Sequence, residues 1–202
     1  MILSDYEAVV IGVSAGGLNA LGSILPQLPA DFPLAVIIVL HLHPSSDLFL
    51  ITHFAKLCSL PVYEADEKEE ILPGTIYFAA PNYHLLVERD KTFALSVDQR
   101  VRFARPSIDV LFETAARAYS HRLIGIILTG ANDDGATGLA MIKKEGGLAI
   151  VQNPETAEVE TMPEAAIEAC SVDYILDLPD IAQLLCGKLT NKKTKSNRIQ
   201  EP

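Results

Sequence analysis

The apolar residues of this chain fall into short unbroken runs rather than alternating ones. Ala8-Val9-Val10-Ile11 stops at Gly12-Val13-Ser14, Leu34 to Leu40 stops at His41, and Leu123 to Leu128 runs into Thr129-Gly130. Leu148 to Gln152 is a fourth run of the same kind. A strand covered by helices on both faces has this signature. Between the runs the period changes to that of a helix. Gly16 to Gln27 places Leu18, Leu21, Ile24, Leu25 and Leu28 on one face, and Ser45 or Ser46 can cap a helix reaching Cys58. Arg105-Pro106-Ser107 opens an amphipathic helix through Ala118, with Ile108, Leu111, Phe112 and Ala115 inward. Another helix runs to Glu145. Thr161-Met162-Pro163-Glu164 has capping-box spacing at a further helix start, and a last helix begins at Pro179 after a strand at Tyr174 to Leu176. Buried strands separated by helices predict an α/β fold: a doubly wound, mostly parallel sheet with helices on both faces.

Residues 66–100, after one more short strand, read differently. Pro61 to Ala65 is a short strand and Asp66-Glu67-Lys68-Glu69-Glu70 a solvated loop. Thr75 to Ala79, His84 to Glu88 and Thr92 to Val97 follow, with tight turns at Pro81-Asn82 and Arg89-Asp90. Turns this short suit antiparallel hairpins, so the segment is expected as a small excursion from the parallel sheet.

Composition narrows the class. The 202 residues are 49% hydrophobic and 21% charged, as in a single soluble globular domain. No apolar run approaches the roughly 18 residues that span a bilayer, and the N-terminus lacks the basic start of a signal peptide. The net charge of −10 argues against nucleic acid as a partner. Five basic residues and one acid fall in 188–202, which reads as a basic, disordered tail to a folded domain at 1–187. Cys58, Cys170 and Cys186 are scattered and odd in number, so they are expected to be buried, reduced thiols of a cytoplasmic protein.

Three turns that each follow a buried strand carry chemistry: Ser14, His41 with His43, and Asp133 with Asp134. The carboxyl ends of parallel strands share one edge of the sheet, and ligands bind there. A serine hydroxyl needs a base within hydrogen-bond reach, and the base needs an acceptor that fixes its tautomer. Ser, His and Asp at neighbouring strand ends supply that set, with either histidine and either aspartate able to serve. His53, His84 and His121 are assigned structural places. Gly12-Val13-Ser14-Ala15-Gly16 satisfies the G-x-S-x-G pattern of the α/β-hydrolase elbow, but it follows the first strand and the order Ser, His, Asp is not that fold's order. A dinucleotide site would want glycine at 14 and an acid after the second strand. His41-x-His43 with an aspartate lacks a third well-placed ligand for a metal. No cofactor or metal is therefore expected.

These residues resemble the catalytic domain of the chemotaxis protein-glutamate methylesterase (CheB) family. The likeness runs from Val9 to Asp177. It takes in Ile11 to Gly17, His41, Val62-Tyr63-Glu64-Ala65, Leu72-Pro73-Gly74, Ala79-Ala80-Pro81 and Arg105 to Phe112. It continues through Ile127 to Gly130, Asp134-Gly135-Ala136, Ala149 to Asn153 and Met162 to Ala165. The resemblance implies hydrolysis of glutamyl γ-methyl esters on the cytoplasmic helices of chemoreceptors, and deamidation of receptor glutamines. Carried over by position, it makes Ser14 the nucleophile, His41 rather than His43 the base, and Asp134 rather than Asp133 the orienting acid. The backbone N–H groups near Ala15 and Ala131 become oxyanion donors, and Arg105 and Met162 substrate contacts. Arg100 and Arg102 could also face an acidic receptor helix. The chain departs from the family pattern at Ala15, at Ala131-Asn132 and at Glu160-Thr161. The first core strand near residue 8 leaves no room for the receiver domain that usually precedes this one. Two other readings compete: a non-catalytic module that binds a receptor or signalling protein, and a hydrolase of another ester.

Overall fold

The computed structural model describes residues 3–41 and 47–187. The expected helix cap at Ser45 or Ser46, His43 and the basic tail lie outside the described residues. In chain order the strands are β1 Ala8–Val13, β2 Ala35–Leu40, β3 Val62–Glu64, β4 Ile76–Phe78, β5 His84–Val87, β6 Phe93–Ser96, β7 Leu123–Ile127, β8 Leu148–Gln152 and β9 Tyr174–Leu176. The α-helices are α1 Gly17–Ile24, α2 Asp47–Leu57, α3 Ile108–Tyr119, α4 Ala136–Lys144, α5 Thr161–Ala169 and α6 Leu178–Leu185.

Seven strands form one parallel sheet in the order β3-β4-β2-β1-β7-β8-β9. Because side chains alternate across a strand, β1 sends Val9, Ile11 and Val13 to one face and Ala8 and Val10 to the other. The first face packs on Leu21, Ile24, Phe54, Ile181 and Leu185, from α1, α2 and α6. The second packs on Ile108, Leu111, Phe112, Leu139, Ile142 and Ala166, from α3, α4 and α5. Each large apolar side chain so buried contributes about 1.5–3 kcal/mol. Successive connections run one way from β1 to β2 and the other way from β7 to β8, with α1 and α4 on opposite faces. The reversal lies at β1 and β7, and the crevice it leaves is at the carboxyl ends of the strands.

Four expectations need correction. The segment from Thr75 to Ala79 is not part of a hairpin: β4 is a fully buried parallel strand between β3 and β2, and only β5 and β6 pair antiparallel. A three-residue strand is too short to show its period, and the buried side chains of Tyr77 and Phe78 decide its place. Leu18 does not join the buried stripe, since α1 begins only at Gly17 and leaves it exposed in the first turn. The capping box at Thr161 does not form: the cap is Glu160, whose carbonyl accepts from the Glu164 N–H at 2.9 Å, and no side chain caps this helix. The three cysteines are half-buried and free rather than deeply buried, and burial still pushes the Cys58 thiol up to about 11.

Candidate active site

The parallel ladder continues one step beyond the strands and brings their ends together. β1 and β2 are in register to Val13 and Leu40; the next N–H, that of His41, donates to the Val13 carbonyl at 3.0 Å. On the other side the Ser14 N–H donates to the Thr129 carbonyl at 3.0 Å. Ser14, His41 and Thr129 therefore stand on adjacent strand ends along one rim. Gly17 N–H closes on the Ser14 carbonyl at 2.9 Å, and Gly16 takes φ 78°, a left-handed turn suited to glycine, before α1 begins.

The His41 ring is held by Asp134, with Nε2 2.9 Å from Oδ2. Asp134 is fully buried and His41 is 14% exposed. The carboxylate belongs to the turn before α4, yet it sits across the N-terminus of α3. There Oδ1 accepts from Ser107 Oγ at 2.8 Å and Asp109 N–H at 3.0 Å, while Oδ2 also accepts from Ile108 N–H at 2.7 Å. The first amides of a helix lack intrahelical partners and carry its positive end, so an anion is stabilised there. Burial works to raise the Asp134 pKa, but the hydrogen bonds from His41, the Asp109 and Ile108 amides and Ser107 outweigh it. The result lies below the usual carboxylate value, so Asp134 is an anion at neutral pH.

A reciprocal contact locks the same corner. Asp109, in the first turn of α3, reaches across to the N-terminus of α4, where its Oδ1 accepts from Gly135 N–H at 3.0 Å and Gly138 N–H at 2.7 Å. The helices cross so closely that a Cβ at Gly138 would lie 2.5 Å from the Phe112 Cβ. Burial raises the Asp109 pKa, aided by the neighbouring Asp134 charge and opposed by the two amides and Arg102.

The remaining candidates are placed as follows. Asp133 points away from His41 and pairs with Arg102 on the surface. Met162 is buried against Gly130: a Cβ added at Gly130 would meet its Cε at 2.5 Å and the Ser14 Cβ at 3.0 Å. Met162 and Ser14 thus both pack against Gly130. Ala15 and Ala131 flank the rim, and among the described residues neither N–H has a hydrogen-bond acceptor. Arg105 has its Nη1 on the carbonyls of Val97 and Asp98, at 2.7 and 3.0 Å. No group of three or more potential metal ligands occurs among the described residues.

Three supporting residues are not assigned to the site by the sequence, His84 being expected only in a structural place. Ser107 donates to Asp134 and caps α3. His84, buried, accepts the Ser107 N–H at Nδ1 at 3.2 Å and binds the Gln99 carbonyl through Nε2 at 3.0 Å. Asp109 is the third. For Ser107 and Asp109 the only available signal was their place in the Arg105 to Phe112 segment, which His84 lies outside.

A sequence model of the CheB methylesterase family matches residues 9–185. The chain belongs to the CheB methylesterase family. A putative protein-glutamate methylesterase/protein-glutamine glutaminase of Leptospira interrogans is 58% identical over 180 residues, covering 89% of this chain and 93% of that protein. A protein-glutamate methylesterase/protein-glutamine glutaminase of Caldanaerobacter subterraneus is 38% identical, covering 90% of this chain and 51% of its own length; the chain spans about half of such relatives. The crystal structure of the Thermotoga maritima CheB methylesterase catalytic domain superposes with a TM-score of 0.86 at 34% identity, covering 91% of this chain and 99% of that one. Against the CheB pattern, the substitution at Asn132 has a structural consequence. Its Oδ1 accepts the Asp134 N–H at 3.2 Å and braces the turn that carries the carboxylate. Nothing in the structure explains Ala15.

Proposed function

We propose that this chain is a serine hydrolase that removes methyl groups from glutamyl γ-methyl esters of chemoreceptor helices and deamidates receptor glutamines by the same route. The observation that carries the reading is the His41 imidazole, held by an ionised, buried Asp134 on the rim next to Ser14. The names of the relatives supply the substrate class. An ionised Asp134 accepts from Nε2–H, which leaves the lone pair of the neutral ring on Nδ1. His41 Nδ1 takes the Ser14 Oγ proton as Oγ attacks the ester carbonyl. The tetrahedral oxyanion is stabilised by the Ala15 and Ala131 N–H groups, each such donor contributing roughly 3–4 kcal/mol. Collapse breaks the acyl–OCH3 bond, and the histidine returns the proton to the leaving oxygen to give methanol. Water, deprotonated by the same nitrogen, then cleaves the acyl-enzyme to glutamate and restores Ser14. With glutamine the leaving group is ammonia.

The test is methanol release from a methylated receptor fragment, wild type beside Ser14→Ala. We expect turnover to fall by at least about 10⁴-fold in Ser14→Ala, with an unchanged circular dichroism spectrum and melting curve. Release that persists in Ser14→Ala overturns the reading.

A further inference from the structure

Thr129 stands two residues beyond β7, buried, and every polar atom it carries is engaged. Its N–H donates to Gln152 Oε1 at 2.9 Å, and its carbonyl accepts the Ser14 N–H at 3.0 Å. The hydroxyl accepts the Val159 N–H at 2.9 Å, which leaves its one proton for a carbonyl. Two are in reach, that of Ala15 at 2.9 Å and that of Val159 at 3.2 Å. The Ala15 carbonyl is the nearer, and the Val159 carbonyl already accepts the Gly130 N–H at 3.1 Å, so the proton goes to Ala15. Thr129 thus grips the chain on both sides of Ser14, at its own N–H and at the carbonyl of the next residue.

That carbonyl belongs to the one peptide of the turn that glycine leaves undecided. Ser14 to Gly17 is a β-turn closed by the 2.9 Å bond from the Gly17 N–H to the Ser14 carbonyl. Gly16, at φ 78° and ψ 0°, occupies its third position in type II geometry. Types I and II differ by a flip of the central peptide, here Ala15–Gly16, and glycine takes positive and negative φ about equally readily. The residue that permits the type II turn therefore does not select it; a donor set against the Ala15 carbonyl does. In a trans peptide the N–H and C=O point opposite ways, so a carbonyl held towards Thr129 keeps the Gly16 N–H on the face away from it. A flip would bring the negative end of the peptide dipole to that face. It would also turn ψ at Ala15, whose N–H is a proposed oxyanion donor.

We propose that the Thr129 hydroxyl is a positioning group for the reaction. It latches the Ala15–Gly16 peptide in the type II setting, and so holds the turn that carries Ser14 Oγ and an oxyanion donor in one of the two conformations open to it. This rests on the hydrolase reading above. Gln152 supports the latch from behind: buried, it holds the Thr129 amide through Oε1 and the Thr156 carbonyl through Nε2 at 3.2 Å. The latch acts on the geometry of attack and not on affinity for the glutamyl chain, so its removal should appear in kcat rather than in KM.

The experiment compares wild type, Thr129→Val and Thr129→Ser in two assays: methanol release from a methylated receptor fragment, and the rate at which a fluorophosphonate labels Ser14, read by intact mass. Valine keeps the shape of threonine without the hydroxyl. We expect Thr129→Val to lower kcat roughly 10- to 100-fold with KM within about twofold, and to slow labelling by a similar factor. Thr129→Ser, which restores the donor, should stay within about threefold of wild type in both assays. Crystal structures should show the Ala15 carbonyl held by Thr129 in wild type and turned away from the valine in Thr129→Val. Undiminished turnover and labelling in Thr129→Val, equal losses in the valine and serine variants, or an Ala15 carbonyl that stays put in Thr129→Val each overturn the proposal. If Thr129→Val does not fold, the structure of fluorophosphonate-labelled wild type decides: an Ala15 carbonyl facing away from Thr129 overturns the latch, and one still held supports it. If wild type releases no methanol and takes no label, the hydrolase reading falls, and the Ala15 carbonyl in Thr129→Val alone decides whether the latch exists.

Discussion

Asp134 and Asp109 are both buried, both lie at a helix N-terminus, and each caps the helix that the other's segment leads into or begins. Their protonation equilibria nevertheless move in opposite directions. Asp134 collects three donors from the start of α3 and a fourth from His41. Asp109 collects two amides, has Arg102 only at 3.5 Å, and feels the Asp134 charge. Burial alone therefore does not decide the state of a carboxylate; the number and charge of its donors do. One corner of two crossed helices thus holds an anion fit to orient an imidazole beside a second carboxyl group whose work is to join the helices.

The comparison breaks most visibly at Asp134. Asp134→Asn keeps the shape but presents an amide to His41 and removes the charge that would stabilise an imidazolium. We expect kcat for methanol release to fall on the order of 10⁴-fold. Asp109→Asn, buried in the same corner, should leave kcat within about threefold, because Oδ1 of asparagine can still accept from Gly135 and Gly138. Parallel steady-state assays check both. Similar losses in the two variants would mean that the corner acts as one unit and that the division of labour drawn here is false.

Much of the corner could be read from the chain because strand ends announce themselves. Unbroken apolar runs ending in Ser14, His41 and Thr129 put their chemistry on one edge whatever the details of packing, and Asp134 follows within one turn. The lining of the corner could not be read so. Ser107, His84 and Asp109 meet Asp134, or one another, only once the start of α3 lies against the turn before α4 and β5 lies beside it. Nothing local marks a serine that caps one helix as the donor to a carboxylate 27 residues away. Arg105, expected as a substrate contact, also donates from Nη1 to the carbonyls of Val97 and Asp98, contacts that no local pattern announces. The pairing of β4 is illegible for a simpler reason, since three residues carry no period.

A middle-sized effect is expected at Ser107. Ser107→Ala removes one of the four donors to Asp134 and the side-chain cap of α3 together. A hydrogen bond to a charged group contributes about 1.5–3 kcal/mol, and a serine cap about 1 kcal/mol. With part of the first loss falling on the orientation of His41, kcat should drop roughly tenfold at unchanged KM, while thermal stability falls by one to a few kcal/mol, about. His84 bears on this from behind, because its Nδ1 fixes the Ser107 amide. A full stability loss with no change in kcat would show that Ser107 serves only the helix.

The smallest effect is the one that separates the two carboxylates most cleanly, and its sign differs between them. Asp134 has a folded pKa below that of an unfolded aspartate, about 3.9. Its ionisation therefore stabilises the fold fully above about pH 4, and that contribution fades as pH falls through the lower folded value. Asp109 has a folded pKa above the same reference, so the folded protein binds its proton more tightly. Stability from this group is fully present below about pH 4 and is lost as pH rises through the raised folded value. Urea melts of wild type, Asp134→Asn and Asp109→Asn across that range should then diverge in opposite ways. The deficit of Asp134→Asn against wild type should be greatest at neutral pH and shrink towards acid. Asp109→Asn should compare most favourably with wild type at neutral pH and lose that advantage towards acid, as the wild-type carboxyl takes up its proton. Parallel curves for the two variants would show that the carboxylates titrate as one coupled pair, and the contrast between an orienting anion and a joining one would then have no thermodynamic basis.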